Sequence, residues 1–399
     1  MLTLHYIIWN PSLELFRIGP FAARWYSLMI IFTFLGGRQL GKYIFQKTGR
    51  PVEDVDELSL YVLCGTLVGA RLGEVFFYRP AHYLKHPLEA ILPISFTPDF
   101  HFTGYQGLSY HGALLGGLAA LYLYANYRIA FSLFPLRLKV TKQPKSRQSF
   151  LWLSTPLAFG VLMGFFVRLG NFINSEIVGT PTHSQYGVLF ASPVVKELQE
   201  STHAIKSVKV LKDTTTQEAS TNYQPIMLEL TFKHAGLEEG TLRRFIEHDL
   251  KRRLVTNVHL CEHLYVPAEQ PINYTLTKNR KHAYIARIKT LGIPRHPVQL
   301  YESFSYLLTL SVLFYWWRRR GATLKDGIIA GTAAMVSYGF RFVYEFFKEP
   351  FNIIIQGDYP ITMGHLLSLL TVLGGMIILI YAYTRPQSQE HTQPPAHPS

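Results

Sequence analysis

The chain has little cysteine and little charge. Two cysteines in 399 residues, Cys64 in an apolar run and Cys261 in a polar stretch, exclude a disulfide-stapled scaffold and predict no disulfide. Only 16% of residues are charged, against 48% hydrophobic and 14% aromatic. That leaves too little polar surface for a soluble protein of this length and predicts a multispan membrane protein. Acids are the scarcer charge, 26 against 39 lysines and arginines, giving a net charge of +13. The cations lie mostly in short loops between apolar runs and in one polar insert, a membrane-topology pattern, so no nucleic-acid partner is expected. The first twenty residues lack a basic start, apolar core and small-residue cleavage site, so no removed signal peptide is expected. Internal repeats are lacking too, apart from an Arg-Leu-Gly echo at 71–73 and 168–170.

What is present is a set of seven apolar segments of spanning length, at 21–41, 59–79, 109–128, 149–172, 299–317, 327–347 and 361–383. The fold class expected is an all-α polytopic membrane protein of about seven transmembrane helices, with a small α/β extracytoplasmic insert between spans four and five. Lys42, Lys47 and Arg50 follow span one, Arg128 to Arg147 supply six cations after span three, and Arg318, Arg319, Arg320 and Lys325 follow span five. By the positive-inside rule these loops are cytoplasmic. The loops after spans two and six carry only Arg79 with Lys85 and only Lys348, which places the amino terminus outside and the carboxyl terminus inside.

The expected domains are spans one to four in 1–182, the insert in 183–293, spans five to seven in 294–385 and a disordered cytoplasmic tail in 386–399. Within the insert, 207–211, 225–232 and 283–289 alternate like strands and 239–254 has helical spacing. His259, Cys261 and His263 alternate along one expected strand face, but a single HxCxH without a second cluster is weak evidence for zinc, and no metal is expected.

The stretch FFVRLGNFINSEIVG, residues 165–179, is where the apolar pattern meets its least expected side chains: Arg168, Asn171, Asn174 and Glu176. A charge at the bilayer centre costs about 2.5–3.5 kcal/mol on insertion scales, so such residues are kept for ion, substrate or lipid contacts. Alternating span direction brings other polar residues to the same outer level: Tyr26, Arg71, His111, Arg295, Gln299, Glu302, Arg341 and Glu345. Arg341 and Glu345 are four apart and could neutralise each other, and Tyr26 beside Trp25 could belong to an interfacial aromatic belt. Arginine forks match phosphate oxygens bidentately, and histidine moves protons near neutrality. Together they suggest group transfer from a phospholipid with phosphate as leaving group, at a site facing the outer leaflet.

These residues sit in blocks that resemble the prolipoprotein diacylglyceryl transferases of the bacterial cytoplasmic membrane. RLGNFINSE from Arg168 resembles the family signature, and SYHGALLGG around His111 its His-Gly segment. ARWYSLM around Tyr26, GARLGEVFFY around Arg71, RHPVQLYE from Arg295 and YGFRFVYEFFKEP around Arg341 are similar to its other blocks, in the family's order. The chain departs from the family at Val167, where glycine usually precedes the arginine, and at Thr180, where arginine usually closes the block.

The resemblance implies that the lipobox cysteine thiol of a prolipoprotein attacks a glycerol carbon of phosphatidylglycerol, forming a thioether and releasing glycerol phosphate. The partners implied are phosphatidylglycerol, prolipoprotein signal peptides and membrane lipids, with no cofactor. His111 is then the candidate base, Arg168 and Arg341 hold phosphate, and Tyr26 orients headgroup or thiol. Asn171, Asn174, Glu176, Arg71, Arg295, Gln299, Glu302 and Glu345 line the substrate site. The alternative is a transporter or flippase for an anionic lipid or solute, which would show repeats and midplane helix breaks. A noncatalytic scaffold leaves the apolar-run arginines unused.

Overall fold

Each of the seven apolar runs folds as helix: Trp25–Lys47, Asp54–Gly73, Tyr110–Asn126, Phe150–Leu162 continued by Phe165–Ile173, Val298–Arg320, Ile328–Glu345 and Met363–Thr384. The computed structural model describes residues 6–19, 21–92, 94–95, 101–102, 109–132, 137–142, 150–184, 186–202, 204–215, 222–233, 238–279, 283–350, 352–357 and 359–385. The tail expected after Arg385 lies outside them. Three helices, Asp54–Phe76, Phe150–Ile173 and Met363–Thr384, are long and apolar enough to cross a membrane by length and composition. The other four are shorter or interrupted by charge, such as Arg38 and Lys42 in the first and Glu302 with Arg318–Arg320 in the fifth.

Local chemistry sets the ends. Asp54, Asp56 and Glu57 occupy the first turn of their helix, where carboxylates complement the positive end of the dipole. Ser109 caps the next helix by accepting the Gly112 N–H at 3.1 Å. The first helix starts later than its apolar character suggests, because Phe21–Arg24 pairs antiparallel with Glu14–Ile18 through a turn at Gly19 (φ 58°). The all-α expectation is too narrow: three further antiparallel strand pairs, Ile94–Ser95 with His101–Phe102, Tyr127–Ser132 with Arg137–Lys142 and Ile353–Ile355 with Ile361–Thr362, lie in connecting segments. Backbone groups in short connections need partners, and tight pairing is one way to supply them.

The chain separates into two compact units, Met1–Thr33 with Gly164–Leu308 and Ser337–Thr371, and Phe34–Met163 with Thr309–Val336 and Val372–Ser399. The second is held by a glycine seam. Gly65, Gly69 and Gly73 face Gly112, Gly116 and Ala120, and a Cβ on Gly69 would stand 2.6 Å from the Gly116 Cα, so only glycine allows this approach.

The first unit contains the polar insert. Ile205–Lys212, Gln224–Phe232, Tyr284–Gly292 and Leu264–Tyr265 form an antiparallel sheet in that spatial order, with Tyr274–Lys278 also paired to Tyr284–Gly292. Ile226, Leu228, Leu230 and Phe232 alternate onto a face where each is fully buried, against Leu198, Leu242, Ile246 and Leu250 from the covering helices. Burying each such side chain is worth about 1.5–3 kcal/mol. Tyr6, in a parallel strand with Gly187–Phe190, donates its hydroxyl to the Pro225 carbonyl at 2.6 Å; burial and nearby Asp213 push that hydroxyl up to about 12.

The strand expected to carry His259, Cys261 and His263 is absent. Asn257 accepts the Leu260 N–H and starts a helical turn, Val258–Cys261, so the three side chains do not share a face. Cys261 donates to the Val255 carbonyl at 3.2 Å, and both cysteines are free. His263 is buried and held well below the usual histidine range, to about 3, by burial, then by Arg295 and His259. Among the described residues no cluster of His, Cys, Asp or Glu could hold a metal ion.

Candidate active site

The signature stretch folds as one turn of helix after another, then a strained loop. In Phe165–Ile173, Arg168 and Asn171 are three residues apart and share a face. Beyond it Ser175 and Ile177 take left-handed backbone, at φ 56° and 55°. That conformation costs a residue with a side chain about 1–2 kcal/mol, most for a β-branched one such as Ile177, and persists only where surroundings impose it. Here they do. Glu176 N–H donates to the Asn171 carbonyl at 2.9 Å, and Gln299 Nε2 donates to the Glu176 carbonyl at 2.6 Å. Asn171 and Asn174 amides donate to the two Glu176 carboxylate oxygens at 3.3 and 3.2 Å. The strained turn therefore presents Glu176 as an exposed carboxylate on a fixed hydrogen-bonded base.

Glu302 is the centre of the charge. It is 1% exposed, and three cations converge on its carboxylate: Arg168 Nε at 2.9 Å from Oε2, with Lys348 Nζ at 2.6 Å and Arg341 at 3.8 Å from Oε1. Lys348 also reaches Glu345 Oε2 at 3.3 Å. Three cations against two carboxylates leave the cluster net positive, the electrostatic condition for taking an anion. The i, i+4 spacing of Arg341 and Glu345 is thus only part of a wider network. Arg168 also points a nitrogen at Asn171 Oδ1, 3.5 Å away, and Tyr26 lies beside Asn171. Gly170 lets the Tyr26 ring in, since a Cβ there would lie 2.8 Å from the ring.

Arg295 serves differently from the substrate role expected of it. Its guanidinium is 3% exposed and is consumed by protein: Nε and one terminal nitrogen donate to the Glu262 carbonyl at 2.8 and 2.5 Å, the other to the Gly179 carbonyl at 2.8 Å and to Glu349. It braces the end of the signature loop against the insert. Gly179 is required there, because a Cβ would stand 2.5 Å from the His296 carbonyl oxygen. Gln299, 1% exposed, is likewise a brace on the Glu176 turn.

Arg71 and His111 belong to the other unit. Arg71 donates to the carbonyls of Ala90, at 3.0 Å, and Glu89, and its guanidinium lies 5.1 Å from the centre of the Tyr83 ring. It thereby caps the last carbonyls of the short Pro87–Ile91 helix. His111 is the second residue of Tyr110–Asn126; its side chain lies outside the described residues.

One cation of the cluster, Lys348, was not singled out from the sequence. It has a signal there, three residues after Glu345 and alone in its loop. The structure fixes it through an antiparallel bridge of its backbone to Gly179, beside a Thr180 N–H bond to the Phe347 carbonyl at 2.8 Å.

Comparison with known proteins agrees with this arrangement. The family model described as prolipoprotein diacylglyceryl transferase matches residues 13–381. The chain is 26% identical over 395 residues to the phosphatidylglycerol-prolipoprotein diacylglyceryl transferase of Chloroherpeton thalassium, covering 97% of this chain and 98% of that one. It is 28% identical to the protein of the same name from Tolumonas auensis, over 94% of this chain and 96% of that one. With the match running through the Arg168 turn, Glu302 and Lys348 alike, the chain belongs to the prolipoprotein diacylglyceryl transferase family.

Proposed function

We propose that the chain transfers the diacylglyceryl group of phosphatidylglycerol to the lipobox cysteine of prolipoproteins, the first step of lipoprotein maturation. The observation that carries the reading is the convergence of Arg168, Arg341 and Lys348 on one buried carboxylate, Glu302. A lone arginine in an apolar helix would be costly; Glu302 holds three cations in one place, and their excess charge suits a phosphodiester.

The chemistry follows from charge. A free thiol has a pKa near about 8.5, so a base and a positive field raise the thiolate fraction. His111 takes the thiol proton. The sulfur forms a bond to the terminal glycerol carbon of the diacylglyceryl group as the carbon–oxygen bond to phosphate breaks, and that electron pair leaves with glycerol phosphate. Arg168 and Arg341 hold the phosphate and gain most as charge develops on the departing oxygen. Tyr26, Asn171, Asn174, Glu176 and Glu345 shape the headgroup site. Arg71, Arg295 and Gln299 act through the backbone segments they brace.

In this reading seven helices cross the bacterial cytoplasmic membrane, with the amino terminus outside and the carboxyl terminus inside. Residues 1–182 and 294–385 form the membrane part, 183–293 an extracytoplasmic insert and 386–399 a cytoplasmic tail, and the site opens to the outer leaflet. Hydropathy and the loop cations support it. Purified protein given phosphatidylglycerol and a lipobox peptide is expected to yield thioether-lipidated peptide and glycerol phosphate in equal amounts. A folded protein that releases neither would overturn the assignment.

A further inference from the structure

A cluster of aromatic and cationic side chains unused by the transfer site surrounds a cavity in the unit containing Phe34–Met163 and Thr309–Val336. Its volume is about 400 Å³. Tyr43, Trp152 and Trp317 line it, with the Arg50 guanidinium stacked 3.9 Å from the centre of the Trp152 ring, and Lys47 and Arg318 supply charge. Lys325 adds a third cation, but its ammonium donates to the Tyr383 and Arg385 carbonyls at 2.8 Å each, closing the end of the last helix. Asp326 is the one acid on the lining, and it has an interaction of its own.

The donors on this lining exceed what the protein uses. Among the described residues, neither indole nitrogen, of Trp152 or of Trp317, has a hydrogen-bond acceptor, and Arg318 has no ionic partner. Lys47 has only the Tyr43 ring, 5.9 Å from its ammonium. Two indole N–H groups, a guanidinium and an ammonium around one cavity ask for a ligand with several acceptor oxygens and negative charge. The rings ask that the same ligand carry apolar bulk. Tryptophan, tyrosine and basic residues at helix ends are the side chains that meet lipid headgroups, and basic pockets between membrane helices hold anionic ones.

We propose that this cavity binds the phosphate headgroup of an anionic glycerophospholipid as a second lipid site, separate in composition from the Glu302 cluster. The phosphodiester accepts from Arg318, Lys47 and the two indoles, and the first carbons of the acyl chains lie along the rings. That the leaflet is the inner one rests on the orientation proposed above; the binding itself does not.

The test uses delipidated full-length protein in neutral detergent, titrated separately with phosphatidylserine, phosphatidylcholine and inorganic phosphate, with retained molecules counted by native mass spectrometry. Phosphatidylserine is chosen because it is anionic without being the proposed substrate. Wild type is expected to retain one more phosphatidylserine than the double variant Lys47→Gln, Arg318→Gln, with affinity for that molecule weakened about tenfold or more by the loss of two cations. Phosphatidylcholine retention is expected to be the same in both, and transfer activity of the double variant to stay near wild type. Equal phosphatidylserine retention overturns the proposal, and so does inorganic phosphate displacing the extra lipid, which would mark a site for a free anion. Should the double variant fail to fold, wild type with a headgroup-photoreactive phosphatidylserine decides: labelling is expected on residues 317–326, and its absence there overturns the site. Loss of transfer with normal lipid retention would strike the proposed reaction alone.

Discussion

The Glu302 cluster and the glycine seam hold helices together by opposite means. Around Glu302, charged side chains are brought together in a setting with little water, and each cation is tolerable only because the carboxylate is there. Along Gly65, Gly69, Gly73, Gly112 and Gly116 there are no side chains at all, and close backbone approach supplies dispersion contacts. The first arrangement is sensitive to chemistry and forgiving of volume. The second is sensitive to volume and indifferent to charge. A site that must stabilise a leaving phosphate needs the first kind; a frame that must not move needs the second.

Substitution separates the two. Arg168→Ala or Arg341→Ala is expected to lower kcat/KM for lipidation by about a thousandfold or more while leaving membrane insertion intact, because a charge-assisted contact to the leaving group is lost. Lysine at either position should recover only part, lacking the fork, and wild-type rates in both alanine variants would dismiss the phosphate assignment. At the seam, Gly116→Leu should cost about 3 kcal/mol or more by overpacking against the Gly69 backbone, read as loss of detergent-stable protein; a variant as stable as wild type would show that the seam opens freely.

His111→Gln sharpens the contrast further, since it sits at the seam's end but is assigned chemistry. It keeps hydrogen bonding but cannot take a proton, so kcat is expected to fall by about a hundredfold with stability unchanged. Near-normal activity across pH would remove His111 as base. The last prediction concerns the insert. His263 is neutral in the fold, its pKa depressed from the ordinary histidine value to about 3, so the unfolded chain binds the extra proton first. Stability is then full above about pH 6.5 and declines as pH falls toward 3, by roughly 1 kcal/mol per unit. His263→Leu should flatten that decline in acid unfolding curves, and an unchanged slope would place the acid sensitivity elsewhere.

Arg71, Arg168 and Arg295 look alike as residues: each is an arginine at or near the end of an apolar run, within two residues of a glycine or proline. Their fates differ. Arg168 meets a carboxylate, Arg71 meets helix-end carbonyls, and Arg295 is enclosed by backbone oxygens and Glu349. Hydropathy cannot separate them, because the partner in each case is remote along the chain or is a backbone atom without a sequence identity. The HxCxH spacing failed for a related reason: Asn257 caps a helical turn just before it, and a local cap outweighs a period-2 pattern of three residues.

By itself the sequence determined the membrane character, the seven helical runs, the three long strands of the insert and the identity of the charged signature, since all of these follow from residue type and spacing. Tertiary structure alone decided that Glu302 is the hub, that Lys348 joins it, and that Arg295 and Gln299 are braces, since burial and ion pairing depend on which distant elements meet. It also decided that Ser175 and Ile177 are forced into left-handed backbone, a strain no propensity predicts because long-range contacts on either side of the turn impose it.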